Sequence, residues 1–313
     1  MTRIIILLSL CWMLGCSTRG QDNNKKIEEL RKLAEVSDSL KDQHQSISYY
    51  TEILKIDSTN LLALINRGRA LAWIGKLKEG FSDYDRAVRL YPHERPFYAR
   101  GMAYVNVKEY DKAFHDFKRS LDLNPSFGEA YFGLSFIKEA QGNLDLALLY
   151  CDKAEMLGCS LQQLQERRAG LFEKQRNYQA AINEVTRLIQ HSPSNAIYYN
   201  NRGYEKNQLQ QYVEAIEDLD VAIELDSSMA FAYNNKAFAL LKQSQTNAAL
   251  NYVNTSLRLN NQNPYAFKTR GEIYLLLHQK DKACSDFTNA ESLNKEENLR
   301  KEILALRRKA CKN

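Results

Sequence analysis

Residues 196–229 read AIYYNNRGYEKNQLQQYVEAIEDLDVAIELDSSM, and the fold turns on how this stretch is read. Two amphipathic helices flank a short polar turn. Tyr199, Arg202, Gly203 and Lys206 share one face of the first helix, and Ala215, Leu219 and Ala222 share one face of the second. A single such hairpin cannot bury its apolar side. Similar stretches recur along most of the chain at a period of about 34 residues, so stacked neighbours can supply the missing cover.

Taking Gly203 as the register mark gives copies at 27–60, 61–93, 94–127, 128–161, 162–195, 196–229, 230–263 and 264–297, with one deletion near His93. Position eight of each copy holds Ala34, Gly68, Gly101, Ser135, Ala169, Gly203, Ala237 or Gly271, and position twenty holds Ser46, Gly80 or, in later copies, Ala. All are small, as required where two helix backbones come close. Position twenty-four holds Tyr50, Tyr84, Phe117, Cys151, Val185, Leu219, Val253 and Phe287, all suited to burial. Thr59, Ser126, Ser160, Ser194 and Ser228 are expected to cap the following first helices, and Pro92, Pro125 and Pro193 to end the preceding second helices.

The arrangement resembles the tetratricopeptide repeat. Tyr199, Arg202 with Gly203, Lys206, Ala215, Leu219, Ala222 and Ser227 stand at that family's pattern positions, with departures at Arg202, where Leu is usual, and at Ser227, where Pro is usual. The resemblance implies an all-α, right-handed superhelical solenoid of eight helix-turn-helix repeats over 27–297. Beyond it, Leu299, Ile303, Leu306 and Ala310 form one apolar stripe in 298–313, read as a capping helix.

The chain opens MTRIIILLSLCWMLGCSTRG, with Arg3 ahead of an apolar run, Ile4 to Leu14, too short to span a bilayer. Residues 1–15 therefore read as a secretory signal. Met13-Leu14-Gly15-Cys16 resembles a bacterial lipobox, which implies acylation of Cys16 and a membrane anchor, with 16–26 as a polar tether. The segment after Cys16 lacks an acidic surface-export cluster, so the expected place is the outer membrane, facing the periplasm. A formal net charge of +5 is too mild to argue for nucleic acid. Cys151, Cys159, Cys284 and Cys311 have no metal-ligand spacing. They are expected as buried thiols, with Cys284–Cys311 the pair that forms if the last helix folds back.

Position seven is basic in most copies: Arg67, Arg100, Arg168, Arg202, Lys236 and Arg270. Where it is Arg, position twenty-three is acidic: Asp83, Asp116, Glu184, Asp218 and Asp286. Leu33, Leu134 and Lys236 go instead with Tyr49, Tyr150 and Tyr252. Positions that change together within one chain are expected to touch, so each Arg should reach its own repeat's carboxylate rather than form an anion-binding row.

In the tetratricopeptide family the first helices line a concave groove, which implies a non-enzymatic scaffold binding an extended protein or peptide segment. The positions that would face it hold Asn200, Asn201, Tyr204, Asn234, Asn235, Phe238 and Lys268 toward the C-terminus. Asn66, Arg69, Trp73, Tyr98 and Phe132 hold them nearer the N-terminus. An Asn side chain both donates and accepts, so a row of them can hold a peptide backbone. The alternative is a glycan-binding lipoprotein similar to SusD-like nutrient receptors. No metalloprotease, serine-hydrolase or phosphate-loop motif is present, and the five histidines are scattered; no cofactor, metal or catalytic residue is expected.

Overall fold

The computed structural model describes residues 2–311, with side chains described from Gln21 onward. The expected signal at 1–15 and the acylation site at Cys16 lie outside the described side chains. The described residues form helices and short turns, with no strand. No described helix is long and apolar enough to cross a membrane.

A first compact unit extends to Cys159 and a second begins at Ser160. The first holds four hairpins, α1 (Thr2–Ser39) with α2 (Gln43–Ile56), α3 (Leu61–Trp73) with α4 (Leu77–Leu90), α5 (Glu94–Asn106) with α6 (Tyr110–Leu123), and α7 (Gly128–Ala140) with α8 (Leu144–Met156). The second holds four more, α9 (Leu161–Lys174) with α10 (Tyr178–His191), α11 (Ala196–Gln208) with α12 (Tyr212–Leu225), α13 (Ala230–Lys242) with α14 (Thr246–Leu259), and α15 (Pro264–Leu276) with α16 (Lys280–Leu293). It ends on α17 (Glu297–Ala310). The hairpins coincide with the repeats read from the sequence. Residues 21–26, expected as a polar tether, are instead helical and run without a break into the first repeat.

The small residues act as the pattern requires. A Cβ on Gly203 would lie 2.7 Å from Leu219 Cγ and 3.2 Å from the Ala215 carbonyl oxygen, so positions eight, twenty and twenty-four of one copy meet here. Position fifteen is left-handed in all eight copies, Lys41, Gly75, Lys108, Gly142, Arg176, Gln210, Ser244 and His278, with φ from 57° to 84°. At Gln210 this residue closes a Schellman turn, Gln210 N–H to the Asn207 carbonyl at 3.1 Å and Gln211 N–H to the Lys206 carbonyl at 2.9 Å.

The caps differ from expectation. Asn60 and Asn195, one residue beyond Thr59 and Ser194, cap α3 and α11, accepting from Ala63 N–H at 3.1 Å and Ile197 N–H at 3.1 Å. Phe127 and Met229 begin α7 and α13 without a side-chain cap, and Ser160 begins α9 likewise. At Thr59, Ser126 and Ser228 the cause is an Asx turn before the helix. Asp57, Asn124 and Asp226 accept from the N–H of Thr59, Ser126 and Ser228 at 2.9–3.0 Å, which places those residues inside the turn. The expected helix stops are present: Pro92, Pro125 and Pro193 each lie two residues past the end of α4, α6 and α10.

Four of the expected Arg–acid pairs form as bidentate forks. Arg67, Arg100, Arg202 and Arg270 donate through Nε and Nη2 to Asp83, Asp116, Asp218 and Asp286 at 2.6–2.9 Å. The hydrogen bond to its aspartate holds the guanidinium pKa of Arg100 and of Arg270 above the ordinary value. In the fifth copy Arg168 and Glu184 are both buried, and Arg187 donates to Glu184 at 3.2 Å. The third arm of the fork reaches backward. Nη1 of Arg67, Arg100, Arg202 and Arg270 donates to Thr51, Asp85, Thr186 and Asn254 on the preceding copy's second helix, at 2.8–3.3 Å. Each arginine thus binds a residue sixteen after it and one sixteen before it, or fifteen for Arg100, which follows the copy with the deletion. Lys236 keeps the topology with the charge moved: it donates to Asp220 of the preceding copy and, at 2.8 Å, to the Tyr252 hydroxyl of its own.

The last helix folds back on α16. Leu299, Ile303 and Ala310 are buried, Arg307 pairs with Glu291, and Cys284 bonds to Cys311 with their Cα atoms 5.2 Å apart. This corrects the expectation of thiols at those two positions; Cys151 and Cys159 remain thiols.

Gly203→Ala should destabilise the chain by ~1–2 kcal/mol through overpacking. Gly170→Ala, where an added Cβ meets nothing within 4 Å, should stabilise it by roughly 0.5–1 kcal/mol through helix propensity; urea unfolding compares the two. Arg270→Leu leaves Asp286 buried without its guanidinium and should cost about 3 kcal/mol. Adding Asp286→Tyr, which recreates the Leu134 and Tyr150 pairing, should recover more than half, and a double-mutant cycle measures the difference.

Candidate functional site

In the second unit the first helices α11, α13 and α15 present one polar and aromatic face. The asparagines at its centre are joined to one another. Asn200 Nδ2 donates to Asn201 Oδ1 at 3.2 Å, Asn235 Nδ2 to Asn200 Oδ1 at 3.0 Å, and Asn207 Nδ2 to the Asn235 carbonyl at 2.9 Å, tying α11 to α13. What remains open is on the acceptor side: Asn207 Oδ1 and Asn234 Oδ1 are buried without a hydrogen-bond partner. Both residues line a cleft of about 440 Å³ that the rings of Tyr178, Tyr204, Phe238 and Tyr265 also border. At its rim Lys268 donates to Glu302 at 2.7 Å and the Tyr265 hydroxyl to Glu296 at 2.7 Å, so α17 closes one end. Burial, with the charge of Glu173 next, pushes the Tyr204 hydroxyl up to about 12.

A second cavity, about 350 Å³, opens between α9 and α11, where the close approach of first helices seen at α11–α13 and α13–α15 is missing. Tyr198 donates to Glu166 across this gap at 2.5 Å. Glu205 lies at the base of the cavity, only 2% exposed, with Oε2 unpartnered. Burial first, and the nearby charge of Glu173 second, push its carboxyl up to about 8; burial also raises Glu173 itself.

Known proteins agree with the fold. The tetratricopeptide repeat profile matches residues 98–158 and 167–230. Those two stretches of the chain are tetratricopeptide repeats. The chain is similar to the Saccharomyces cerevisiae small glutamine-rich tetratricopeptide repeat-containing protein 2, 34% identical over 137 residues, 44% of this chain and 36% of that protein. It is also similar to the Arabidopsis thaliana Hsp70-Hsp90 organizing protein 3, 29% identical over 91 residues, 29% of this chain and 16% of that protein. The match therefore spans well under half the length of either relative. Among solved structures, a chain of the APC/C hetero-tetramer Cut9–Hcn1 superposes with a TM-score of 0.66 at 18% identity, over 86% of this chain and 53% of that one. Tetratricopeptide repeat proteins act as protein-interaction scaffolds.

Of the groove residues read from the sequence, Tyr204, Asn234, Asn235, Phe238 and Lys268 border the larger cleft. Asn201 lines the cavity between α9 and α11, and Asn200 is held between Asn201 and Asn235. In the first unit Arg69 donates to Asp38 at 3.1 Å, and Tyr98 packs edge-on to Phe127 with centroids 5.6 Å apart. Phe132 packs on Phe136 at 5.2 Å, while Asn66 is half-buried and Trp73 is 74% exposed. No group of three or more described His, Cys, Asp or Glu residues is placed to hold a metal.

Glu205 was not among the residues singled out, although the repeats carry its signal. Position ten is Val36, Ala70, Ala103, Ile137, Leu171, Ala239 and Ile273 in the other tetratricopeptide copies, and acidic in the sixth alone. Gly170 is the companion anomaly, since position nine is large in every other copy.

The raised carboxyl of Glu205 fixes a pH dependence. The unfolded chain loses this proton near its ordinary pKa of 4.5, whereas the folded chain keeps it to about 8, so stability should fall as pH rises through that window. Glu205→Gln should be more stable than wild type at pH 8.5, by ~1–3 kcal/mol, and similar to it at pH 4, as urea unfolding at the two pH values reads out.

Proposed function

We propose that this tetratricopeptide repeat protein is a lipid-anchored, non-enzymatic adaptor of the bacterial cell envelope that holds an extended segment of a partner protein along α11, α13 and α15. The observation that carries the reading is the pair of buried, unpartnered amide oxygens, Asn207 Oδ1 and Asn234 Oδ1, in an open cleft bordered by four rings. Native proteins seldom leave such acceptors unmade, and the N–H groups of an extended peptide are the donors that fit. The bond from Asn207 Nδ2 to the Asn235 carbonyl fixes which end of that amide faces the cleft. The Hsp70-Hsp90 organizing protein among the relatives is likewise named for the proteins it brings together. The envelope setting is supported by the signal-like start with Cys16 and by the Cys284–Cys311 disulfide, a bond that persists in oxidising compartments.

A second reading draws on the same rings. Tyr178, Tyr204, Phe238 and Tyr265 together are the kind of platform on which a sugar stacks, as the glycan-receptor alternative requires. A glycan array probed with wild type and Phe238→Ala separates the two readings.

Proteins co-purifying from detergent-solubilised membranes should be lost at least tenfold (about 1.4 kcal/mol) from a variant with Asn201, Asn235 and Phe238 changed to Ala. Cys16→Ser should shift the chain from the membrane pellet to the soluble fraction. An unchanged set of co-purifying proteins removes the groove assignment, and an unchanged membrane fraction removes the anchor.

A further inference from the structure

We propose that the cavity between α9 and α11 receives a cationic side chain, lysine or arginine, from the segment held in the groove. Two departures from the repeat pattern build it. Gly170 stands at position nine, where a large residue is the rule, and an added Cβ there meets nothing within 4 Å, so the entrance is open. Glu205 stands at position ten, where every other copy is apolar, and it forms the base. Both departures face the same space, and neither stabilises the hairpin that carries it: glycine weakens a helix, and an unpaired buried carboxyl costs free energy.

The chemistry of the walls selects the occupant. The carboxyls of Glu166, Glu173 and Glu205 line the cavity, and no Lys, Arg or His does. Ala169, Val185, Leu188 and Ile197 supply apolar wall between entrance and base. An aliphatic stem ending in a cation matches that sequence of surfaces, with the stem against the apolar wall and the head at the carboxyls. Glu205 Oε2, buried and without a partner, is an acceptor already desolvated, so a donor arriving there replaces no water on that atom. Because the segment is the one that the proposed function lays along the groove, the occupant rests on that reading; the cavity's preference for cations can be measured without any peptide.

The first measurement uses the full chain with ¹³C-labelled glutamate, titrated with n-butylammonium chloride and, as neutral counterpart, n-butanol. Butylammonium should shift the Glu205 carboxyl resonance saturably, at a half-saturation at least tenfold below that of butanol. The saturable response, read at Glu173, should vanish in Glu205→Gln and in Gly170→Leu, the second of which fills the entrance without touching a charge. An equal response to butanol, a response that survives Glu205→Gln, or no response in wild type overturns the cation pocket. The second measurement presents a positional-scanning library of extended nonapeptides to wild type, to Glu205→Gln and to the Asn201, Asn235, Phe238 triple-alanine variant. Lysine or arginine should be enriched at least tenfold at one peptide position by wild type and not by Glu205→Gln, with the rest of the profile kept. Peptides retained without that enrichment overturn the pocket and leave the groove standing. No retained peptide, or retention undiminished in the triple variant, overturns the groove and with it the peptide as occupant.

Discussion

Everything in the structure follows from how closely two helix backbones can lie within one repeat. Small residues at positions eight and twenty bring them together until the Gly203 Cα faces the Leu219 side chain with no room for a methyl group. At that spacing a position-seven arginine meets the carboxylate of its own second helix, and its remaining Nη reaches the preceding copy. The same residue therefore closes one hairpin and ties it to its neighbour. Leucine, usual in this family at that place, can do both only by shape. The fork does it with directed bonds, which fix register as well as contact.

What the sequence discloses and what it hides divide along this line. Interactions that repeat in phase are legible because the copies act as their own alignment: small position eight, apolar position twenty-four, and the joint change of positions seven and twenty-three. The backward arm was not legible, because its acceptors are chemically mixed. Thr51, Asp85, Thr186 and Asn254 share a place but not a residue type, and only geometry groups them. The caps expected at Thr59, Ser126 and Ser228 were misplaced by one residue because a Ser or Thr before a helix is equally at home inside an Asx turn, and an Asp or Asn two residues earlier decides between the two. The disulfide depended on the direction in which α17 leaves α16, which no local pattern encodes.

The candidate groove was half readable. The residue types were found, but not their mutual satisfaction: Asn200, Asn201 and Asn235 spend bonding capacity on one another, and the acceptors left over belong to Asn207 and Asn234. A polar row on a repeat surface is thus not equivalent to a row of open hydrogen-bonding groups. Glu205 makes the converse point. It lies at a core position, where a search for exposed polar residues does not look, and only the contrast with its seven counterparts marks it.

The Cys284–Cys311 bond has a consequence for how the molecule comes apart. In an array whose members touch only their neighbours, melting starts at whichever end peels most easily, and a terminal helix with cover on one side is the natural place. Here that helix is chemically stitched to the one before it, closing a loop of 27 residues, so α17 cannot drift off while α16 stays put. Thiol reductants would unlock that end, making mechanical durability of the array a property of the compartment it occupies.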